Sequence, residues 1–294
     1  MNGRVMPHAH DLIWVRGEDA VEFLDGLLSQ SVAETTVGSV TRSLLLSPQG
    51  KLRATLWLLR GEDSIGLVVE PGFADRVTGD LGRFRLRVDV EFHPEQRPLY
   101  EVWGEEARHL VASGDWVAAG DEDDDGALVA DLPFINAALP RVLTTRQVGV
   151  PVPETEAEAA RIALGEPKLD VDMDAGTIPQ EAGLVDGAVD FSKGCYLGQE
   201  LVARIDSRGH VNRHLRGLRL AAPAPPTATL TRDGREVGVV TSSATHAELG
   251  ALALATVRRE VDPGQQVSVS WQDGETTADV VELPMISDPF SGGS

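Results

Sequence analysis

The residues with the clearest chemical potential lie in the segment KGCYLGQE, residues 193–200. It contains Cys195, the single cysteine of the 294-residue chain, two positions after Lys193. Its two glycines permit a tight turn with positive φ before a helix that we expect to start near Gln199. A thiol close to a helix N-terminus and an ammonium group should favour its nucleophilic, metal-binding thiolate form. Cys195 is therefore predicted to be exposed and reactive, and the alternative is a small buried hydrophobic residue.

Other common reactive arrangements are missing from the sequence. One cysteine cannot form an intramolecular disulfide or a four-ligand zinc site, and His210 and His214 supply no zinc-type spacing with it. The segment HAH at 8–10 has metal-ligand residue types without a partner at a suitable spacing. Neither a dinucleotide-type glycine pattern nor a P-loop occurs. We therefore predict no metal site, and a Cys–His nucleophile pair stays open because nothing fixes a histidine beside Cys195.

The charge distribution argues against direct binding of nucleic acid. The net charge is −20, whereas nucleic-acid surfaces need clustered Lys and Arg. Residues 193–219 differ, because they hold six basic and two acidic residues, against 20 basic and 44 acidic in the remainder. This segment should attract an anionic small molecule or an acidic partner, or its arginines should pair with nearby carboxylates. No signal peptide or bilayer-length apolar run is found, so we expect a cytoplasmic protein without membrane contact.

Apolar periodicity places the motif within an α+β chain. Alternating or continuous apolar runs predict strands, and amphipathic runs predict helices. The helix that precedes the motif has acids in its first turn and Gly165 where a C-terminal cap belongs. The predicted strands are 11–15, 43–48, 52–60, 64–70 and 86–92, and the predicted helices are 17–30, 71–84 and 153–165.

The C-terminal part reads differently, as an all-β segment. The proline-rich stretch APAPP at 222–226 breaks the preceding pattern and indicates a domain boundary. Hairpin signals follow at Asp233–Gly234 and Asp273–Gly274, and short strands with regular turns are typical of a small closed barrel. Five consecutive acids at 121–125 are expected to form a solvated loop, and the tail 287–294 to be disordered.

The motif also resembles a known family signature. KGCYLGQE, followed by VAR ending at Arg204, looks like the signature of the YgfZ family of folate-binding proteins, which support iron–sulfur cluster assembly and repair. That family is related to the aminomethyltransferase (T-protein) of the glycine cleavage system. The resemblance extends over most of the chain, through the segments RGEDAVEFLDGLLSQSV, LLLSPQGKLRATLWLL, TIPQEAGL and GREVGVVTSSATH.

The resemblance implies a three-part architecture around a central opening. A discontinuous folate-binding αβ domain would comprise 1–43 and 128–220, with a ferredoxin-like αβ insert at 44–127 and a β-barrel at 221–286. A reduced folate such as tetrahydrofolate would lie in the central cavity with its acidic tail toward basic residues, and the signature cysteine would lie at the surface near the opening.

The resemblance also implies a set of site residues. Cys195 would be the reactive group, and Lys193 would favour the thiolate, pair with a ligand carboxylate, or be exposed without a role. Arg204 would bind a ligand carboxylate or form an i,i+4 ion pair with Glu200. Tyr196 would pack over the loop, and Gln199 and Glu200 would cap backbone amides. The residues expected to hold the folate are Glu181, Arg204, Tyr196, Gln199 and Glu166.

Two departures from the related patterns bear on activity. The aminomethyltransferases carry an aspartate in a pattern like G-G-x-x-D-D-L, where the segment GKLRATL has Ala54 and Thr55. Neither replaces a catalytic carboxylate, so glycine-cleavage activity should be lost or residual. The pterin-binding glutamate of a pattern like R-I-E-A-G-x-P is replaced by Ala163, which leaves Glu166 and Glu181 as candidates.

Together these features lead to one functional hypothesis with two alternatives. The hypothesis is a YgfZ-like, folate-binding monomer that supports iron–sulfur cluster assembly or repair in client enzymes, with an indirect effect on tRNA modification. Client enzymes or assembly factors would be its partners. The first alternative is a tetrahydrofolate-dependent aminomethyl- or methyltransferase. The second is a non-catalytic interaction protein that has lost folate binding.

Overall fold

A computed structural model describes residues 4–112 and 128–290. The predicted acidic loop at 121–125 and the last four residues of the predicted tail lie outside these ranges. The chain forms two compact units. The first comprises Met1–Pro133, Leu139–Val152 and Leu184–Arg204, and the second comprises Phe134–Ala138, Pro153–Gly183 and Ile205–Ser294.

The first unit is built on two five-stranded sheets. One has the order β3-β4-β5-β2-β6 and is antiparallel throughout; the other has the order β10-β1-β7-β9-β8, with β1 and β10 parallel. The elements are β1 (Arg4–Val5), β2 (Asp11–Arg16), α1 (Ala20–Asp25), β3 (Val40–Leu46), β4 (Leu52–Arg60), β5 (Ile65–Val69), α2 (Ala74–Gly82), β6 (Glu91–Pro94), β7 (Tyr100–Trp103), α3 (Glu105–Ala112), β8 (Val129–Asp131), β9 (Arg141–Thr144) and β10 (Val150–Pro151).

Strand β4 explains why the central strands read as continuous apolar runs. Its residues Ala54, Leu56 and Leu58 belong to a core that includes α1 and α2. Trp57 and Leu59 point the other way, into a core shared with β8 and β9. Because both faces of the strand are buried, the polar positions that mark a half-exposed strand disappear.

The first sheet does not follow the predicted domain limit at residue 43. Strand β2, from before that position, pairs with β5 and β6, from after it. The reason lies in its side chains, since Leu12 contributes to the core on one face of the sheet and Ile13 to the core on the other.

The predicted strand 86–92 is wrong, because β6 begins only at Glu91. Residues 82–87 are exposed, and Arg87 has a φ of +60°, which interrupts an extended backbone. Alternation of charged and apolar residues therefore imitates a half-buried strand over 86–90, whereas Glu91 and Phe92 belong to β6 and pair with β2.

The second unit is a closed six-stranded barrel with the helix α4 packed on it. The strand order is β11-β14-β13-β12-β15-β16, and β11 closes the barrel by pairing with both β14 and β16. The elements are α4 (Glu154–Leu164), β11 (Arg213–Leu220), β12 (Thr229–Arg232), β13 (Arg235–His246), β14 (Gly250–Arg258), β15 (Gln266–Trp271) and β16 (Gly274–Val281); α5 (Gln199–Arg208) belongs to the first unit up to Arg204.

Several local predictions for this unit can be compared with the strands. The barrel begins at Arg213, eight residues before the predicted boundary at 221. The hairpin at Asp233–Gly234 is confirmed, but the second two-residue loop is Gln272–Asp273, because Trp271 pairs with Gly274. Helix α4 ends at Gly165 in the left-handed conformation, as expected.

The fold class is that predicted, an α+β chain that ends in a closed β-barrel. In the predicted tail, Pro289 is buried and its carbonyl oxygen lies 2.9 Å from Nε2 of His246. In the described part of the chain no helix is long and apolar enough to cross a membrane.

Candidate functional site

The motif segment forms a loop ahead of α5 that carries an exposed thiol. Cys195 is exposed, and the nearby Phe191 side chain is 49% exposed. Gly198 has a φ of +82°, and a Cβ atom there would lie 2.4 Å from the carbonyl oxygen of Ser47. Gly194 has no such constraint, since an added Cβ would meet nothing within 4 Å. Only the second glycine is therefore required by the backbone, where the loop passes against the turn between β3 and β4.

Lys193 holds this loop to the end of α1. Its Nζ donates hydrogen bonds to the carbonyl oxygens of Asp25 at 2.6 Å, Leu28 at 2.9 Å and Gln30 at 3.0 Å. The side chain is only 2% exposed, and Oδ1 of Asp25 lies 3.4 Å from Nζ. Burial lowers the pKa of Lys193, and the charge of Asp25 opposes this.

This geometry corrects the expected role of Lys193. Three carbonyl acceptors match the three donors of an ammonium group, so its hydrogen-bonding capacity is used within the protein. The orphan carbonyls at the end of a helix are the groups that such a cation satisfies. Lys193 therefore positions the loop, and it is neither exposed nor directed at a ligand carboxylate.

The segment that accepts Lys193 is itself held in place. Oδ1 of Asp25 accepts hydrogen bonds from the backbone N–H groups of Val32 at 2.8 Å and Ala33 at 3.2 Å. The N–H of Leu197, inside the motif, donates to the carbonyl of Gly26 at 3.2 Å. The exposed thiol is thus carried by a loop anchored on both sides of Cys195.

Tyr196 and Gln199 also shape the loop. The Tyr196 ring is buried below the ammonium group of Lys193, with Nζ 5.5 Å from the ring centroid. Burial, and secondarily the charge of Asp190, raises the pKa of Tyr196 to about 12. The side-chain oxygen of Gln199 accepts the N–H of Tyr196 at 3.2 Å, which is the capping role expected for it. Glu200 is exposed.

In the second unit, α4 brings a charged cluster and the Ala163 position together. Arg161 donates to both carboxylate oxygens of Glu158, to Asp172 and to the backbone carbonyl of Glu166. Glu166 is only 7% exposed. Ala163 is fully buried in an apolar cluster between α4 and the barrel, so this position serves packing.

Glu181 and Arg204 differ from the other residues expected to hold a folate. Glu181 is half-buried, and its Oε2 accepts the N–H of Ile178 at 3.2 Å, which leaves Oε1 without a partner among the described residues. Arg204 is exposed on α5. The five candidates fall in both units: Tyr196, Gln199 and Arg204 in the first, and Glu166 and Glu181 in the second.

Comparison with known proteins places this geometry in context. Residues 213–286 match the family model of the glycine cleavage T-protein C-terminal barrel domain. The tRNA-modifying protein YgfZ of Photobacterium profundum is 24% identical over 283 residues, which cover 89% of this chain and 85% of that protein. A mitochondrial homolog of the iron–sulfur cluster assembly factor IBA57, from Neurospora crassa, is 27% identical over 225 residues, covering 69% and 50%.

This chain is similar, over most of its length, to proteins named YgfZ and IBA57. A putative chloroplastic transferase of Arabidopsis thaliana is 24% identical over 257 residues, covering 78% of the chain and 59% of the transferase. The chain thus spans only 50% to 59% of the length of the fungal and plant relatives. The crystal structure of the glycine cleavage system aminomethyltransferase T from Bartonella henselae has a TM-score of 0.82 at 20% identity, covering 98% of the chain and 87% of that protein. This last match shows the shared fold.

A carboxylate lies beside the position where the sequence has Thr55 in place of an aspartate. Thr55, at the position of the missing aspartate, is 3% exposed, and its hydroxyl donates to Oε1 of Glu70 at 3.2 Å. Glu70 follows β5 directly, and the pairing of β4 with β5 brings the two side chains together. Sequence reasoning missed Glu70 because it lies 15 positions from Thr55, and only strand register joins them.

A second missed cluster involves His10 of the HAH segment. Its Nδ1 lies 2.5 Å from Oε2 of the buried Glu101, and Trp103 Nε1 donates to Oε1 of the same carboxylate at 2.6 Å. Burial alone would raise the pKa of Glu101, but His10, Arg141 and Trp103 together lower it. The available signal was a lone acid between apolar residues in the segment that forms β7. This cluster is a buried hydrogen-bonded network around Glu101 within the first unit.

No metal centre forms within residues 4–112 and 128–290, where no three His, Cys, Asp or Glu side chains are grouped to hold a metal ion.

Proposed function

We propose that this protein supports iron–sulfur cluster assembly or repair in client enzymes of the cytoplasm, with Cys195 as the group that contacts the client. The observation that carries the proposal is the exposed thiol on an anchored loop. Two relatives support it through their names, an iron–sulfur cluster assembly factor and a tRNA-modifying protein. An effect on tRNA would then be indirect, through clients that carry clusters.

The chemistry assigned to the loop is thiolate coordination. Loss of the thiol proton to solvent gives a thiolate, which is the form that binds iron. Clusters are normally held by several cysteines, so one thiolate makes a contact shared with a client or an assembly factor. Anchoring through Lys193 fixes the loop before the partner arrives, which reduces the ordering cost of the encounter.

The candidate folate residues fit a reduced folate in part. Within the second unit, Oε1 of Glu181, which has no partner among the described residues, is suited to the N–H donors of a pterin ring. Tyr196 and Gln199 are engaged in shaping the loop, so we assign no ligand contact to them. A bound reduced folate supplies a one-carbon carrier.

Complementation of a deletion strain tests the proposal. We expect Cys195→Ala to fold normally but to fail to restore the activities of cluster-dependent enzymes. Gly194→Ala is the matched control, because its added methyl group meets nothing within 4 Å, and it should restore them fully. Full rescue by Cys195→Ala would remove the thiol from the mechanism.

The contact between Glu70 and Thr55 favours a second candidate, a tetrahydrofolate-dependent aminomethyl- or methyltransferase. An aminomethyl-transfer assay with purified protein distinguishes it. Turnover by the wild type that is lost in Glu70→Gln would establish this alternative, whereas our proposal expects no turnover from either protein.

The burial of Ala163 favours the remaining alternative, an interaction protein without folate. Calorimetric titration with tetrahydrofolate tests it. We expect binding that weakens about tenfold in Glu181→Gln, since one charged acceptor is lost. An absence of binding heat in the wild type would support the interaction protein instead.

A further inference from the structure

Six consecutive exposed residues, 82–87, begin at the last residue of α2 and have the sequence GRFRLR. We call this segment the arginine loop. It contains two large apolar side chains that face solvent, Phe84 at 42% and Leu86 at 79% exposure. Exposed apolar groups rimmed by polar ones are a feature of interaction sites, whereas scattered single residues are not.

The arginine loop has a defined backbone. Turn-type hydrogen bonds run from the N–H of Phe84 to the carbonyl of Leu81 at 3.0 Å, and from the N–H of Leu86 to the carbonyl of Phe84 at 2.9 Å. Buried Leu81 and Val90 fix its two ends in the core of the first unit. Arg87 has a φ of +60°, an uncommon conformation for a residue with a side chain, and such outliers persist where the surroundings impose them.

The loop is positive within an acidic protein. It carries three arginines and no acid, whereas the chain has a net charge of −20. Arg83 lies 3.5 Å from Asp80, which also pairs with Arg53. Neither Arg85 nor Arg87 has a carboxylate at ion-pair distance among the residues that the structure describes. The loop thus offers unneutralised cations beside apolar side chains.

We propose that the arginine loop docks a segment of a partner protein in which carboxylates flank apolar side chains. Carboxylates would pair with Arg85 and Arg87, and the apolar groups would cover Phe84 and Leu86. Three cations are few for a nucleic acid, and the charge of −20 disfavours approach to any polyanion, including an anionic membrane. A short acidic segment meets only the local field, because longer-range charge is screened at physiological salt. This surface is independent of Cys195 and of the proposed function.

Site-specific photocrosslinking in living cells tests the proposal. A benzoylphenylalanine replaces Leu86 in the full chain, and the same group at the exposed position Arg235 provides the background. We expect a protein adduct at position 86 above that background. Mass spectrometry of the crosslinked peptide should show at least two acids next to an apolar residue.

Charge reversal gives the second readout. The double change Arg85→Glu and Arg87→Glu should lower the adduct yield about tenfold, because close charge pairs govern encounter and register. Arg219→Glu with Arg235→Glu reverses the same number of exposed arginines elsewhere and should leave the yield unchanged. Thermal unfolding verifies that both variants fold.

Several outcomes would overturn the proposal. These are an adduct with nucleic acid, with lipid or with a second copy of this chain, a yield no higher than that from position 235, and a yield insensitive to charge reversal. Rescue by Cys195→Ala in the complementation assay would contradict the proposed role of Cys195 but not the proposal for the arginine loop. The two proposals can therefore be tested independently.

Discussion

Two buried cations, one in each unit, are satisfied in different ways. Lys193 directs its ammonium group at three neutral backbone carbonyls, with one carboxylate 3.4 Å away. Arg161 binds the carboxylates of Glu158 and Asp172 directly, together with the hydroxyl of Ser242.

The two pKa shifts have opposite directions. Burial lowers the pKa of Lys193, and the nearby Asp25 does not offset it. Burial also acts to lower the pKa of Arg161, but the bond to Glu158 and the charges of Asp172 and Glu158 raise it overall. Neutral carbonyl groups accept the hydrogen bonds of a buried cation but do not offset the free energy that its charge loses on leaving water. Two carboxylates accept the hydrogen bonds and also offset that loss through their opposite charge. We call the group of Arg161, Glu158 and Asp172 the charge network. We call Lys193 with its three carbonyl acceptors the backbone clamp.

The largest effect should follow from Arg161→Met. It leaves the fully buried side chain of Asp172 without its counter-charge, so the free energy of unfolding should fall by about 3–5 kcal/mol. Urea denaturation measures it, with the exposed Arg235→Met as a control that changes little. A loss of less than about 1 kcal/mol would mean that the network is not what holds α4 to the barrel.

Lys193→Met should have the next largest effect. Three carbonyl oxygens lose their donor, and the expected cost is about 2–3 kcal/mol, less than for Arg161 because the groups left behind are mostly neutral. The same denaturation experiment measures it. A larger loss than for Arg161→Met would reverse the comparison and make Asp25 the dominant partner.

Acid titration sharpens the description of the charge network. Burial would raise the pKa of Glu158, but Arg161 and Lys168 hold it at about 2. A carboxyl group with a lowered pKa stabilises the fold above its ordinary value of about 4.5 and loses that contribution as the pH falls to about 2.

Glu158→Gln should therefore flatten the pH dependence of the unfolding free energy between about pH 4.5 and 2, by about 1–2 kcal/mol. The exposed Glu200→Gln is the matched control, and it should reproduce the wild-type slope. Equal slopes for Glu158→Gln and the wild type would show that the ion pair persists after unfolding or contributes nothing.

The smallest change in the free energy of unfolding should come from Gln199, in the loop that Lys193 anchors. Gln199→Ala removes the side-chain acceptor for the N–H of Tyr196, and should cost about 0.5–1 kcal/mol. Glu200→Ala, one residue later and exposed, should cost less. Equal losses of unfolding free energy in the two variants would show that the side chain of Gln199 does not cap the helix.

Local signals in the sequence predicted much of the fold. The helix with Gly165 as its cap, the Asp233–Gly234 hairpin and the runs that became β2, β4 and β5 depend on neighbouring residues, so a pattern reveals them. The segment 86–92 misled because all of it has the alternation of a strand, although only Glu91 and Phe92 pair with β2. The closing strand β11 precedes the prolines, and only pairing across the barrel shows that it belongs there.

The candidate site was predicted less completely, for the same physical reason. The motif indicated an exposed Cys195, and its exposure is a local property. The partners of Lys193 and Thr55 depend on strand register and on contacts across many residues, which composition and spacing do not encode. From the sequence, Lys193 was consequently expected to favour the Cys195 thiolate. In the structure its ammonium group instead binds the backbone carbonyls after α1.

The backbone clamp around Lys193 also makes the conformation of the Cys195 loop depend on residues that are distant in the sequence. The carbonyls that receive Lys193 come from residues 163 to 168 positions earlier in the chain. Contacts this distant form slowly, because closing a long loop costs conformational entropy before the contacts contribute favourable free energy. The geometry of the loop around the thiol therefore depends on a segment from the other end of the chain, and a fragment that begins after α1 would lack the carbonyl acceptors of Lys193.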